Sequence, residues 1–174
     1  LDTMPDVARG ESQPLVNPLT FADDIHGGDG LGNISDLLDA DGVRLYPDPA
    51  NRVSPKHAVD LILERIHTYP DELSLIAVGP LTNVARAIIK NPVRMRRLSE
   101  IIIMGGAFET YGNMTPTSEF NLYADPHAAQ VVCDAGIPLV FVPLDVTMKS
   151  ILTTDMITRY ADPGTPAAVF VRDC

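Results

Sequence analysis

Three polar side chains lie close together in the second half of the chain: Asn113, Glu119 and Asn121, beside Thr115, Thr117 and Ser118. An amide side chain brings both a donor and an acceptor, and an ionised carboxylate brings acceptors alone. A polyhydroxylated ligand such as a sugar needs both, because each hydroxyl donates and accepts. The same residues also suit a solvated loop held by Asx turns, and composition alone favours that plainer account.

Other candidates sit where apolar segments end, at Val78-Gly79-Pro80, Met104-Gly105-Gly106 and Leu144-Asp145. Glycine after a strand lets the backbone approach a ligand closely. A carbonyl left free at such a tip is a hard oxygen donor of the kind Ca²⁺ takes. Tight turns alone would explain the same glycines. Upstream, Asp23-Asp24-Ile25-His26-Gly27-Gly28-Asp29-Gly30-Leu31-Gly32 is rich in glycine. It is neither a dinucleotide fingerprint, since no strand precedes it, nor a P-loop, since it lacks the Gly-Lys-Ser/Thr ending. His26 could act near neutral pH as an acid or as a ligand contact, although a lone loop histidine is more often a surface residue. Asp23-Asp24 could attract a cation or simply be solvated. His57, His67 and His127 fall on predicted helices at no metal-ligand spacing. Ser118 lacks the Gly-x-Ser-x-Gly setting of a nucleophilic serine.

The elements that must position these residues alternate. Ser54-Pro55 reads as an N-cap and first helical residue, with Ala58, Val59, Ile62, Leu63 and Ile66 at helical spacing to about Tyr69. Leu73 to Val78 is a short apolar run, read as a strand. Val84 to Lys90 reads as a helix ended by Asn91-Pro92, and Ile101 to Met104 as a β-branched strand. A polar loop follows through Tyr123. Asp125-Pro126 caps a helix to about Asp134, Leu139 to Val142 is a third strand, and Thr154 or Asp155 starts a further helix. Residues 1–52, rich in Pro, Gly, Asp and Asn, read as loops around short elements. Continuous apolar strands alternating with helices imply an open parallel sheet with helices on both faces, an α/β fold. Ligands of such sheets bind beyond the carboxyl ends of the strands, where the polar residues above are expected.

Composition narrows the function. The chain has 174 residues, 45% apolar and 21% charged, which suits one globular domain over 1–174. A net charge of −10 gives no general attraction for phosphate backbones, so nucleic-acid polymers are poor partners and a neutral small molecule or a cation fits better. No run is long enough for a membrane span, and no basic-then-apolar leader opens the chain. The two cysteines, Cys133 and Cys174, are too few for a disulfide framework. Cys133, in an apolar stretch, is expected to be a buried thiol, and the protein to be cytoplasmic.

Taken in order, these segments resemble the inosine–uridine nucleoside hydrolase family. His26-Gly27-Gly28-Asp29-Gly30-Leu31-Gly32 is similar to its HGxDGLG loop, and Gly79-Pro80-Leu81-Thr82-Asn83 to its GPLTN turn. Met104-Gly105-Gly106, Gly112-Asn113, Glu119-Phe120-Asn121, Asp125-Pro126 with Ala128-Ala129, and Leu144-Asp145-Val146-Thr147 are similar to its MGG, GN, EFN, DPxAA and LDxT series. The resemblance runs from about residue 5 to 155 and implies a Rossmann-like α/β fold. It also implies a ribohydrolase, in which a Ca²⁺-activated water cleaves the N-glycosidic bond of a small-molecule ribonucleoside. The Val78 backbone carbonyl would be a calcium ligand. Asn113 and Glu119 would hold the ribose 5′-hydroxyl, Asn121 a lower ribose hydroxyl, Met104 would line the sugar pocket, and His26 would lie near the nucleoside. Relatives are usually dimers or tetramers.

One departure stands out. The family's acidic DxDxxxDD motif has no counterpart here, nor has its later His-Asp pair. No catalytic residue is therefore expected within these positions; the general-base Asp is expected in an N-terminal part upstream. Leu1 stands where an initiator Met would, and the helical run Ala167 to Cys174 has no C-cap. A central piece of a longer hydrolase, inactive alone, is the expectation. The alternative is a nucleoside- or sugar-binding protein without catalysis.

Overall fold

The computed structural model describes residues 5–21, 23–46, 53–160 and 165–174, with the side chains of Asp24, Thr158 and Tyr160 outside the described set. In chain order come β1 (Val7–Ala8), α1 (Asp23–His26), a 3₁₀ turn (Ile34–Asp36), β2 (Val53–Ser54), α2 (Ala58–Thr68), β3 (Ser74–Ala77), α3 (Thr82–Lys90) and α4 (Pro92–Met95). They are followed by β4 (Glu100–Met104), α5 (Phe120–Ala124), α6 (Pro126–Cys133), β5 (Leu139–Val142), α7 (Leu144–Thr147), α8 (Thr154–Tyr160) and α9 (Pro166–Asp173). These elements form two compact units, one of residues 1–19 with 51–149 and one of residues 20–50 with 150–174. No helix among the described residues is long and apolar enough to cross a membrane.

The first unit is built on a parallel sheet ordered β3-β4-β5. Successive strand residues face opposite ways, and burial follows that period: Ile101 and Ile103 of β4 are completely buried while Ile102 between them is not. The buried side meets α2 through Val59, Leu63 and Ile66, spaced as one helical stripe. It also meets α3 through Val84, Ala85 and Ile88, and α6 through Ala128 and Val132. The opposite side leaves Ile76 and Val140 exposed within this chain. β1 and β2 form a separate parallel pair, Val7 against Val53 and Ala8 against Ser54.

Several boundaries differ from the sequence expectation, each for a local reason. The first long helix begins at Ala58, not at Pro55. Pairing with β1 holds Ser54 in a strand, its Oγ accepts from the Lys56 N–H at 3.1 Å, and His57 Nδ1 caps the helix at 3.3 Å from the Val59 N–H. Asn91-Pro92 ends α3 and at once starts α4, because the Asn91 side chain accepts from the Arg94 N–H at 3.0 Å while its own N–H still donates to the Ala87 carbonyl. The polar loop after β4 ends earlier than Tyr123, since α5 begins at Phe120. Cys133 is exposed rather than buried. Val132 takes the inward position, and the next residue is turned about 100° around the helix.

Two measurements test this packing. Ile103→Ala removes a fully buried side chain from the central strand and should cost about 2–5 kcal/mol of unfolding free energy; an unchanged urea midpoint would contradict the assigned core. In a Cys174→Ser background, Cys133 should react with a thiol reagent without denaturant, and protection until unfolding would place it inside.

Candidate functional site

The register of the sheet brings the candidate tips together. Ala77 pairs with Ile103, and Met104 pairs with Val142. Val78, one residue beyond Ala77, and Met104, one residue beyond Ile103, therefore leave neighbouring strands at the same level. Among the described residues, no N–H donates to the Val78 carbonyl.

Met104 is joined to the polar loop by Asn121. The Asn121 amide nitrogen donates to the Met104 carbonyl at 3.1 Å and lies 3.2 Å from its sulfur. That use of both amide hydrogens leaves the Asn121 carbonyl oxygen as an acceptor for a ligand hydroxyl. Asn121 is nearly buried, so its side chain is held in place before any ligand arrives.

Glu119 is almost wholly buried and works as a clamp. Its Oε1 accepts from the Asn121 N–H at 2.8 Å, and its Oε2 accepts from the Leu122 and Gly106 N–H groups, both at 3.1 Å. It thus caps α5 and ties that helix to the turn after β4. A carboxylate has roughly four acceptor positions, so Oε1, with one bond from the Asn121 N–H, has one left. Glycine suits this approach: a Cβ at Gly105 would lie 3.3 Å from Glu119 Oε2, so the carboxylate would have to give by a few tenths of an ångström, and Gly106 has φ +88°. Asn113 closes the group, its carbonyl oxygen accepting from the Phe120 N–H at 2.8 Å and its amide nitrogen left to donate. The group therefore combines a donor from Asn113 with acceptors on Glu119 and Asn121.

Residues at turns, helix starts and the Leu144-Asp145 strand tip brace the surrounding backbone. Asp125 is completely buried; its Oδ2 accepts from Thr82 Oγ1 at 2.7 Å and the Leu15 N–H at 2.8 Å, and its Oδ1 from the Ala128 N–H at 3.0 Å. Asn83 Oδ1 accepts from the Glu11 N–H at 2.8 Å, and Gly10 lies so close that an added Cβ would stand 2.5 Å from the Asn83 amide. Asp145 accepts from the Phe108 and Glu109 N–H groups at 2.9 and 2.7 Å; the Phe108 bond leads in holding its pKa below the ordinary carboxylate value. The sequence signal for these roles was the presence of short polar residues immediately after apolar strands or before helices.

His26 belongs to the second unit, where it is exposed at the end of α1. Its carbonyl accepts from the Gly32 N–H at 2.8 Å. The organiser of this loop is Asp29, whose carboxylate accepts from the Leu31 and Asn33 N–H groups at 2.8 Å and the Ser35 N–H at 2.9 Å. Asn33, itself left-handed at φ 66°, accepts from the Gly28 N–H. The Ser35 bond, followed by that of Leu31, lowers the Asp29 pKa to about 2.

Among the described residues, no group of three or more His, Cys, Asp and Glu side chains is placed to hold a metal ion. Calcium takes about 6–8 oxygen ligands, so the Val78 carbonyl fits as one donor but these residues do not make a calcium site by themselves.

A parallel α/β sheet with a group of linked polar residues at its carboxyl edge defines the general class. Comparison with known proteins gives the rest: the family model for inosine-uridine preferring nucleoside hydrolase matches residues 1–174, and the chain belongs to that family. It is 38% identical over 167 residues to a pyrimidine-specific ribonucleoside hydrolase RihB of Escherichia coli O157:H7, covering 96% of this chain and 50% of that protein. Among solved structures it is similar to a purine-preferring ribonucleoside hydrolase from Gardnerella vaginalis, with TM-score 0.83, 29% identity, and coverage of 97% of this chain and 51% of the other. An inosine-uridine preferring nucleoside hydrolase from Bacillus anthracis gives TM-score 0.73 at 27% identity, with coverage of 97% and 55%. The chain spans about half the length of the curated relatives it matches.

The Asp29 loop yields a pH prediction. Its pKa in the fold lies below the ordinary value of 3.8, so its contribution to loop stability is complete above that value and is lost as pH falls toward about 2. Carboxyl carbon NMR should show Asp29 titrating near about 2; an ordinary midpoint would show the clamp is not formed.

Proposed function

We propose that this chain supplies the ribose-holding part of a ribonucleoside hydrolase, which breaks the N-glycosidic bond to release ribose and free base. The observation that carries the reading is the pre-set Asn121 side chain, fixed to Met104 at a strand tip beside Glu119 and Asn113. Asn113 donates to the 5′-hydroxyl and the free Glu119 acceptor receives from it. Asn121 accepts from a lower ribose hydroxyl, and the Met104 side chain lines the sugar. His26 contacts the nucleoside. Such contacts hold the sugar in a reactive pose and gain strength as positive charge develops on the ring.

The family resemblance supports Ca²⁺ as the metal, with the Val78 carbonyl as this chain's contribution; bound there, the ion would orient and acidify water. The same resemblance supports a dimeric or tetrameric cytoplasmic parent. The relatives are named for pyrimidine and for purine preference, and comparing hydrolysis of uridine with that of inosine distinguishes the two.

The test uses a chain extended as in the relatives and a nitrophenyl riboside. Asn121→Ala should lower kcat/KM by on the order of a hundredfold. Near-normal hydrolysis by Asn121→Ala would sink the site assignment, and ribose binding without turnover by the unaltered protein would point instead to a catalytically inert binding protein. A chain of these 174 residues alone should show no turnover, because among its described residues no acidic cluster is placed to hold the metal; measurable hydrolysis by it would refute that.

A further inference from the structure

An Asp at a helix start is ordinarily a cap, and the Asp125 Oδ1 bond to the Ala128 N–H is enough for that purpose. Asp125 does more. Its other oxygen reaches out of α6 to Thr82, the first residue of α3, and to the backbone of Leu15. All three partners are neutral, and the carboxylate is completely shielded from water. Burying an anion is costly unless its lone pairs are used, and here the two oxygens serve three donors at 2.7–3.0 Å. An amide could not reproduce this, since its nitrogen would face a donor.

The connections on either side of that contact close a ring. Thr82 lies four residues beyond Val78, across the Gly79-Pro80 turn; Asp125 lies four residues beyond Asn121, directly after α5. Asn121 is bonded to Met104, and β4 is paired with β3, which leads back to Val78. Every link is a hydrogen bond, a ladder or a turn of a few residues. The Thr82–Asp125 contact adds a directional polar link to the apolar packing of α3 against α6, which also joins the Val78 turn to α5.

Resting on the hydrolase reading above, we propose that Asp125 is a positioning residue, which through Thr82 holds the Val78 turn and the Asn121 helix in one fixed relation at the ribose site. It touches no substrate. Its effect reaches the sugar through the placement of Asn121 and through the carbonyl of Val78.

Thr82→Val tests this, because it keeps the shape of the side chain and removes the hydroxyl; Thr82→Ser keeps the hydroxyl. Both are made in the chain extended as in the relatives. Thr82→Val should lower kcat by on the order of a hundredfold and weaken ribose binding, measured by calorimetry, by about tenfold. Thr82→Ser should restore both. A contact that serves only stability would lower Tm in Thr82→Val and leave kcat, KM and ribose affinity at wild-type values, and that result overturns the proposal. Thr82→Ala is read by the same two outcomes if Thr82→Val does not fold. Failure of the function reading is distinct from either: unaltered protein would then neither hydrolyse a nitrophenyl riboside nor bind ribose, and the proposal falls with it.

Discussion

A parallel sheet delivers the carboxyl ends of its strands to one edge, and the pairing of β3, β4 and β5 decides what meets there. Because Ala77 is opposite Ile103 and Met104 is opposite Val142, the carbonyl of Val78 and the side chain of Met104 emerge together. A slip of one residue in either ladder would turn Met104 to the other face of the sheet. The buried Ile101 and Ile103 fix that register, since a slip would exchange them with the more accessible Ile102. Hydrophobic packing beneath the sheet thus determines the address of polar groups at its edge.

Above that edge, the order comes from polar atoms used almost to capacity. Glu119 and Asp125 each accept three hydrogen bonds. No buried side-chain nitrogen or oxygen among the described residues lacks a partner. Networks of this kind rigidify when complete and are costly when one member is missing. The residual capacity of the site is correspondingly small and specific: one acceptor position on Glu119, the carbonyl oxygen of Asn121 and the amide nitrogen of Asn113. A rigid, nearly saturated frame with a few open positions suits a ligand of fixed stereochemistry such as a sugar ring.

Much of this could be read in the chain beforehand. The three main strands are short apolar runs with β-branched residues, and their ends were recognisable to within about one or two residues. Asp125-Pro126 marked the start of α6 directly. Where reading failed, a contact from far along the chain had decided the local outcome. Ser54 became a strand residue because β1 pairs with it. α5 was invisible because its cap is Glu119, an uncommon residue at that position, and its five residues are too few to show a period. Thr82 looked like one residue of a turn, and its bond to Asp125 spans 43 positions of sequence. Cys133 stood among apolar neighbours, but the helix places Val132 inward and Cys133 outward. The chemistry-bearing residues were legible as types; the carboxylates that brace them were legible only once the fold had placed their donors.

The Asp29 loop has a consequence for how its composition can vary. Three backbone N–H groups converge on one exposed carboxylate, so the conformational entropy of this segment is surrendered when the protein folds and not when a ligand arrives. The frame is set by Asp29, by Asn33 and by glycines at positive φ. Leu31, by contrast, donates only its backbone to the frame and leaves its side chain about half exposed, at 49%. Its side chain can therefore change without altering the frame. Such a segment can acquire new chemistry on its outer surface while its shape is inherited intact.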